Sequence, residues 1–236
     1  MRECNCGNCK HELCAHKVPI FSSLSEDELI KIVNMTGHKF YKKGELLCSE
    51  GEKSDTLFII NEGQVKVSKI TKEGKEQIVH IFTGGDFFGE LSLFSSNEVY
   101  NFNAYAISDV KICTLTKNAM NQIILNNPEI SLKILQVVSK RLNQTETLAQ
   151  NLATNDAEIR IAYMLLDLSE KYGVPSPEGI KIKLPITREE MASYIGVTRE
   201  TVSRKLSKFE EEGIIDLKGS KTLVIKDKAI LSSFVE

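Results

Sequence analysis

Residues 4–14 read CNCGNCKHELC and place Cys4, Cys6, Cys9 and Cys14 within eleven residues, while the other two cysteines, Cys48 and Cys113, stand alone. Thiolates this close together hold zinc or an iron–sulfur cluster, or exchange with one another as disulfides. The amino terminus lacks the basic-then-apolar pattern of a signal peptide, so the chain is expected in the cytoplasm. Resting disulfides are uncommon there, and clustered cysteines favour metal or redox chemistry over structural staples. Three rival readings stay open: zinc on Cys4, Cys6, Cys9 and Cys14, or drawing in His11 and His16; a direct thiol–disulfide switch; and a disordered tail with incidental thiols. Cys48 follows KKGELL with apolar neighbours and is expected to pack.

A second stretch carries a different chemistry. ITREEMASYIGVTRETVSRKLSKFEEEGII, residues 186–215, reads as two short helices around Gly196. Thr187 can cap the first, whose opening turn carries Glu189 and Glu190, and Met191, Ala192 and Ile195 form its inner face. Thr198 can cap the second, where Val202, Leu206 and Phe209 bury one side and Arg199, Glu200, Ser203 and Arg204 face outward. Two helices joined by a tight glycine turn are the helix-turn-helix arrangement, whose second helix reaches base edges in the major groove. Arginine reads guanine there, and glutamate accepts from cytosine. Lys205 and Lys208 are expected on phosphates. The formal net charge is −2, so DNA binding must come from this local surface and not from a global positive field.

These residues need elements to hold them. Hydrophobic content of 42% and charged content of 26% suit a soluble globular chain, and no run is apolar for long enough to span a bilayer. VPIFSSLSEDELIKIVNMTG reads as a turn and a helix, with Ser25 and Glu28 as a capping box. From about Lys39 to Thr116, runs such as TLFIINEG, QVKVSKI, QIVHIF and DVKICTL alternate between glycine-marked turns, the pattern of a barrel or jelly roll. From Pro128 to about Leu152 the spacing is helical, with Ile134, Val138, Leu148 and Leu152 on a 4-and-3 seam and Arg141 and Thr145 between them. A helix, a loop at GVPSPEG, a strand at IKIKLPI, the two short helices and a hairpin turning at Lys218-Gly219-Ser220 complete the chain. The division expected is a cysteine-rich arm at 1–17, a β-roll at 18–126, a long helix at 127–154, where contact with a second copy would explain the length, and a helix-turn-helix DNA-binding domain at 155–236. An enzyme, such as a small cysteine-based redox protein, is the rival of another class. No Ser–His–Asp or paired-carboxylate arrangement stands out, and the only histidines are His11, His16, His38 and His80.

GDFFGELSLF (residues 85–94) and TRETVSRKLSKFEEEGII (198–215) resemble the CRP/FNR family of bacterial transcription regulators, and the resemblance runs from Val18 to the end. It implies an α+β chain: a cyclic-nucleotide-binding-type β-roll, a long dimerisation helix and a winged helix-turn-helix. It also implies a homodimer on an inverted-repeat operator, with RNA polymerase as a protein partner. Glu90 matches the family's ribose-contacting glutamate, but the arginine that holds the cyclic phosphate about ten residues on is missing from SSNEVYNFNAYA. The roll contains no arginine at all, so no cyclic nucleotide is expected. The cysteines resemble the FNR branch, which holds a [4Fe–4S] cluster with an amino-terminal set and one strand cysteine. Cys6, Cys9 and Cys14 give C-x2-C-x4-C, one residue shorter than the branch pattern, which leaves Cys4 as an alternative to Cys6; Cys113 matches the distal ligand. Glu200, Ser203 and Arg204 resemble the FNR branch, whose half-site is TTGAT. Arg199 resembles the cyclic-AMP-responsive branch, whose half-site is TGTGA.

Overall fold

In a computed structural model, residues 18–22, 24–91, 99–153 and 156–235 are described. They form two compact units that divide at Arg141/Leu142, inside a single long helix. The first unit opens with a 3-10 turn, Pro19–Phe21, and helix α1, Glu26–Met35. The Ser25 N–H and hydroxyl both donate to Glu28 Oε2, at 2.8 and 2.7 Å, and set the start of α1. Eight strands follow: β1 Gly37–Tyr41, β2 Leu46–Cys48, β3 Thr56–Glu62, β4 Gln64–Ile70, β5 Glu76–Thr83, β6 Phe87–Phe88, β7 Asn103–Ala106 and β8 Val110–Thr116.

These strands form two antiparallel four-stranded sheets, ordered β1-β8-β3-β6 and β2-β7-β4-β5. One core lies between the sheets: Phe58, Ile60, Phe88, Val110 and Ile112 come from the first, and Cys48, Val65, Val67, Phe82, Ala104 and Ala106 from the second. The first sheet is also covered on its other face. There Leu57, Ile59, Phe87, Cys113 and Leu115 meet Val18, Ile20, Phe21, Leu29 and the helices that follow the roll. That is why residues 57–60 read as an unbroken apolar run and not as an alternating one.

Helix α2, Lys117–Asn126, was not expected between the last strand and Pro128. Thr116 Oγ1 accepts from the Ala119 N–H at 3.2 Å and starts it, and only Met120 and Ile123 are buried, a signal too sparse to register as a period. Helix α3, Glu129–Ala153, is the expected long helix. One residue of the expected seam, Ile134, needs correction. Ile134 is 3% exposed and packs into the core of its own unit, with Val138 half-buried against it. Leu132, Leu135 and Leu142 are the outward apolar residues, at 63, 63 and 56%. The Leu148 and Leu152 side chains lie outside the described residues.

The second unit holds α4 Ala157–Tyr172, β9 Gly173–Ser176, β10 Gly179–Lys183, α5 Arg188–Ile195, α6 Arg199–Glu211, β11 Ile215–Leu217, β12 Thr222–Ile225 and α7 Lys228–Ser233. Its strands form one antiparallel sheet, β11-β12-β10-β9. GVPSPEG, expected as a loop, supplies β9 and the turn into β10. Pro175 is tolerated there because β9 is an edge strand. The β11–β12 hairpin turns at Gly219, as its residues implied. No described helix is long and apolar enough to cross a membrane.

Candidate functional site

The helix-turn-helix is built by local chemistry. Thr187 Oγ1 accepts from the Glu190 N–H at 3.2 Å, and Glu190 Oε2 accepts from the Thr187 N–H at 2.9 Å, a reciprocal cap that starts α5. Gly196 ends α5 in the left-handed region (φ 66°, ψ 41°), which a side chain would strain. Two residues later Thr198 Oγ1 accepts from the Thr201 N–H at 3.2 Å and starts α6. Met191, Ala192, Ile195, Val202, Leu206 and Phe209 are buried, as their spacing implied. Two anchors were not visible in the sequence. Arg160 Nη1 donates to the Ile195 and Gly196 carbonyls, both at 3.2 Å, and satisfies the end of α5. Tyr194, 4% exposed, reaches Asp167 Oδ2 at 3.2 Å.

Arg199, Glu200, Ser203 and Arg204 are exposed along one face of α6, together with Ser207, which the sequence reading left out. Among the described residues, none of the four has a side-chain hydrogen bond or ion pair. Lys205 and Lys208 differ. Both donate to one oxygen, Glu158 Oε1, at 2.5 and 2.7 Å. These bonds hold the Glu158 carboxyl below the usual carboxylate range, and the same bond raises Lys208. Lys205 and Lys208, expected on phosphates, thus each have a partner inside the protein.

Cys113 sits on β8, 5% exposed, on the helix-covered face of its sheet. His38 is its direct neighbour on β1, and Asn61 lies two residues beyond its β3 partner Ile59, so all three side chains project from one face. Asn61 Nδ2 donates to Cys113 Sγ at 3.0 Å, and His38 Nδ1 lies 3.3 Å from the same sulfur. Cys113 shares its core with Val18, the first described residue after the cysteine-rich arm, and with Ile130 and Ile134 of α3. Cys4, Cys6, Cys9 and Cys14, with His11 and His16, lie outside the described residues. Cys48 is 3% exposed in the core between the sheets, and burial, helped by Glu52, pushes its thiol up to about 12. That environment suits the packing role expected of it.

The roll does receive an arginine. Arg141, on α3, donates from Nη1 to Glu90 Oε1 at 2.7 Å and from Nη2 to the Phe87 carbonyl at 2.5 Å. Its guanidinium carbon lies 4.8 and 4.7 Å from the Phe82 and Phe87 ring centres. The cation comes from the helix that follows the roll and not from within residues 18–126, where the sequence has no arginine. Its charge is matched by Glu90, which is itself 6% exposed. Ser95–Glu98, part of the stretch where a phosphate clamp was sought, lie outside the described residues.

A double-sheet roll, a long helix and a winged helix-turn-helix with a bare polar recognition face define a DNA-binding transcription regulator. Residues 38–127 match the cyclic nucleotide-binding domain, and residues 159–234 match the Crp-like helix-turn-helix domain. The chain is 30% identical over 205 residues to the CRP-like cAMP-activated global transcriptional regulator of Mycobacterium tuberculosis, covering 87% of this chain and 91% of that one. It is 35% identical over 189 residues to the cAMP-activated global transcriptional regulator CRP of Salmonella typhimurium, covering 80% and 88%. The structure of a CooA mutant from Carboxydothermus hydrogenoformans matches with a TM-score of 0.76 at 26% identity, covering 92% and 94%. The chain belongs to the CRP/FNR family of transcription regulators. Members of the family bind DNA, typically act as dimers and are not enzymes.

Proposed function

We propose that this regulator is redox-responsive, with a [4Fe–4S] cluster held by Cys6, Cys9, Cys14 and Cys113 (Cys4 standing in for Cys6 as the alternative). In this reading it binds an inverted-repeat operator as a homodimer and acts on RNA polymerase. The observation that carries the reading is the place of Cys113. It is a buried thiol in the same packed cluster as Val18, the first described residue, and as the first turns of α3. Its sulfur accepts an amide hydrogen bond, an interaction that cluster thiolates commonly receive and that tunes the cluster. Bound there, the cluster supplies an oxidant-sensitive crosslink between arm and roll. The chain's own residues link that point to the long helix. Ile130 and Ile134 pack in the Cys113 core, and Lys133 Nζ donates to Ser22 Oγ at 2.8 Å, so a shift at the arm's root bears directly on α3. Protein purified without oxygen should show a broad visible absorption band, with iron and acid-labile sulfide in equal amounts. A colourless protein carrying zinc, or none of these, overturns the reading.

A second reading, activation by a cyclic nucleotide, is favoured by Arg141 and by the names of the Mycobacterium and Salmonella relatives. Against it, the Arg141 guanidinium is already paired with Glu90, so a cyclic phosphate would have to compete with that carboxylate. Burying such an anion costs several kcal/mol in effective terms. Calorimetric titration with cyclic AMP and cyclic GMP should show no saturable binding at micromolar concentrations; saturation there would establish the second reading.

A further inference from the structure

We propose that Glu158 sets how strongly the second unit grips the DNA backbone, by holding the Lys205 and Lys208 ammonium groups away from phosphate. The α6 helix carries four cations, and the structure sorts them into two pairs. Arg199 and Arg204 are exposed and unpaired among the described residues. Lys205 and Lys208 converge instead on a single carboxylate oxygen, 2.5 and 2.7 Å away. The Glu158 side chain is 14% exposed while Lys205 and Lys208 are 24 and 45% exposed, so the carboxylate sits beneath the two ammonium groups. Its position is fixed by its own backbone, whose N–H donates to Asp156 Oδ1 at 2.7 Å in the cap of α4. Lys208 has a second, looser acidic neighbour, Glu212, at 3.6 Å.

The consequence lies in sequence-independent binding. A cation that neutralises a phosphate releases a condensed counterion, and that release drives nonspecific affinity and its salt dependence. Glu158 carries one negative charge against the two lysines, and a lysine bound to it must leave it before it can meet a phosphate. Glu158 therefore lowers the nonspecific term and leaves the base-reading face untouched, which raises the ratio of specific to nonspecific binding. Discrimination then depends on a residue of α4, outside the recognition helix α6.

The test uses the full chain and fluorescence anisotropy on a mixed-sequence duplex of about forty base pairs, from about 50 to 300 mM salt. Glu158→Gln should bind several-fold more tightly at the low-salt end. Its slope of log affinity against log salt should steepen by about 1 to 2, since each added phosphate contact contributes about 0.9. Replacing Lys205 and Lys208 together by Gln should flatten the wild-type slope by no more than about 1, because Glu158 balances one of the two charges, and should cancel the gain in the Glu158→Gln background. Unchanged or weaker binding by folded Glu158→Gln overturns the proposal. So does a wild-type slope that flattens by about 2 when the lysines alone are replaced, a measurement that stands even if Glu158→Gln fails to fold.

Discussion

Cys48 and Cys113 are both buried thiols in the roll, and their surroundings give them opposite prospects. The Cys48 side chain meets the apolar core between the sheets and is hard to ionise. Cys113 has Asn61 and His38 aimed at its sulfur and shares its core with Val18. Cys113→Ser should therefore lose iron and sulfide as fully as Cys9→Ser or Cys14→Ser, while Cys48→Ala keeps both. A full cluster in the Cys113 variant would remove it from the ligand set and leave the arm to zinc or a disulfide. At this scale the sequence speaks clearly only about neighbours. Ser25 with Glu28, Thr187 with Glu190, and Thr198 with Thr201 are each three residues apart, and their types alone announce the contact. Glu90 with Arg141, Glu158 with Lys205, and Cys113 with His38 are 51, 47 and 75 residues apart, so only the fold could pair them.

The long helix shows why spacing alone does not fix which face is left free. A 4-and-3 spacing passes through Ile134 and Val138, but apolar residues occur on two sides of α3. One side is claimed by the roll: Ile130 and Ile134 are buried in the first unit, and Arg141 turns to Glu90. The side left over presents Leu132, Leu135 and Leu142, more than half exposed each. Since regulators of this family typically act as dimers, a second copy of α3 is the natural cover for these leucines. Leu135→Glu and Leu142→Glu should each shift the protein towards monomer in sedimentation and weaken DNA binding in parallel. A charge at Ile134 should instead unfold the first unit, because it would be buried without a partner. Unchanged sedimentation in both leucine variants would place the contact elsewhere. The same competition between faces explains β3, where burial on both sides replaced the expected alternation.

At the scale of the whole molecule, the succession of roll, long helix and winged helix-turn-helix was legible because each part has its own hydrophobic period and the family motifs fall in two of them. The bases it reads follow from fewer residues. The exposed face of α6 offers Arg204 for guanine and Glu200 for the amino edge of an opposing cytosine or adenine. TTGAT and TGTGA share a G·A step, which suits that pair. Arg199 is the member expected to separate the two codes, and with it a TGTGA-like site is the expected one. A two-fold dimer then requires an inverted repeat with half-site centres about one helical turn apart. Selection of sites from random DNA, run under reducing and oxidising conditions, checks all of this together. The wild type should enrich such a repeat, and Arg199→Val should shift preference at the second base of each half-site alone. Arg204→Ala should lose about 1–3 kcal/mol on the selected site and relax discrimination at one base pair. If no inverted repeat is enriched under either condition, α6 is not the reading helix; if Arg199→Val changes every position alike, Arg199 holds the backbone and the code rests on Glu200, Ser203 and Arg204.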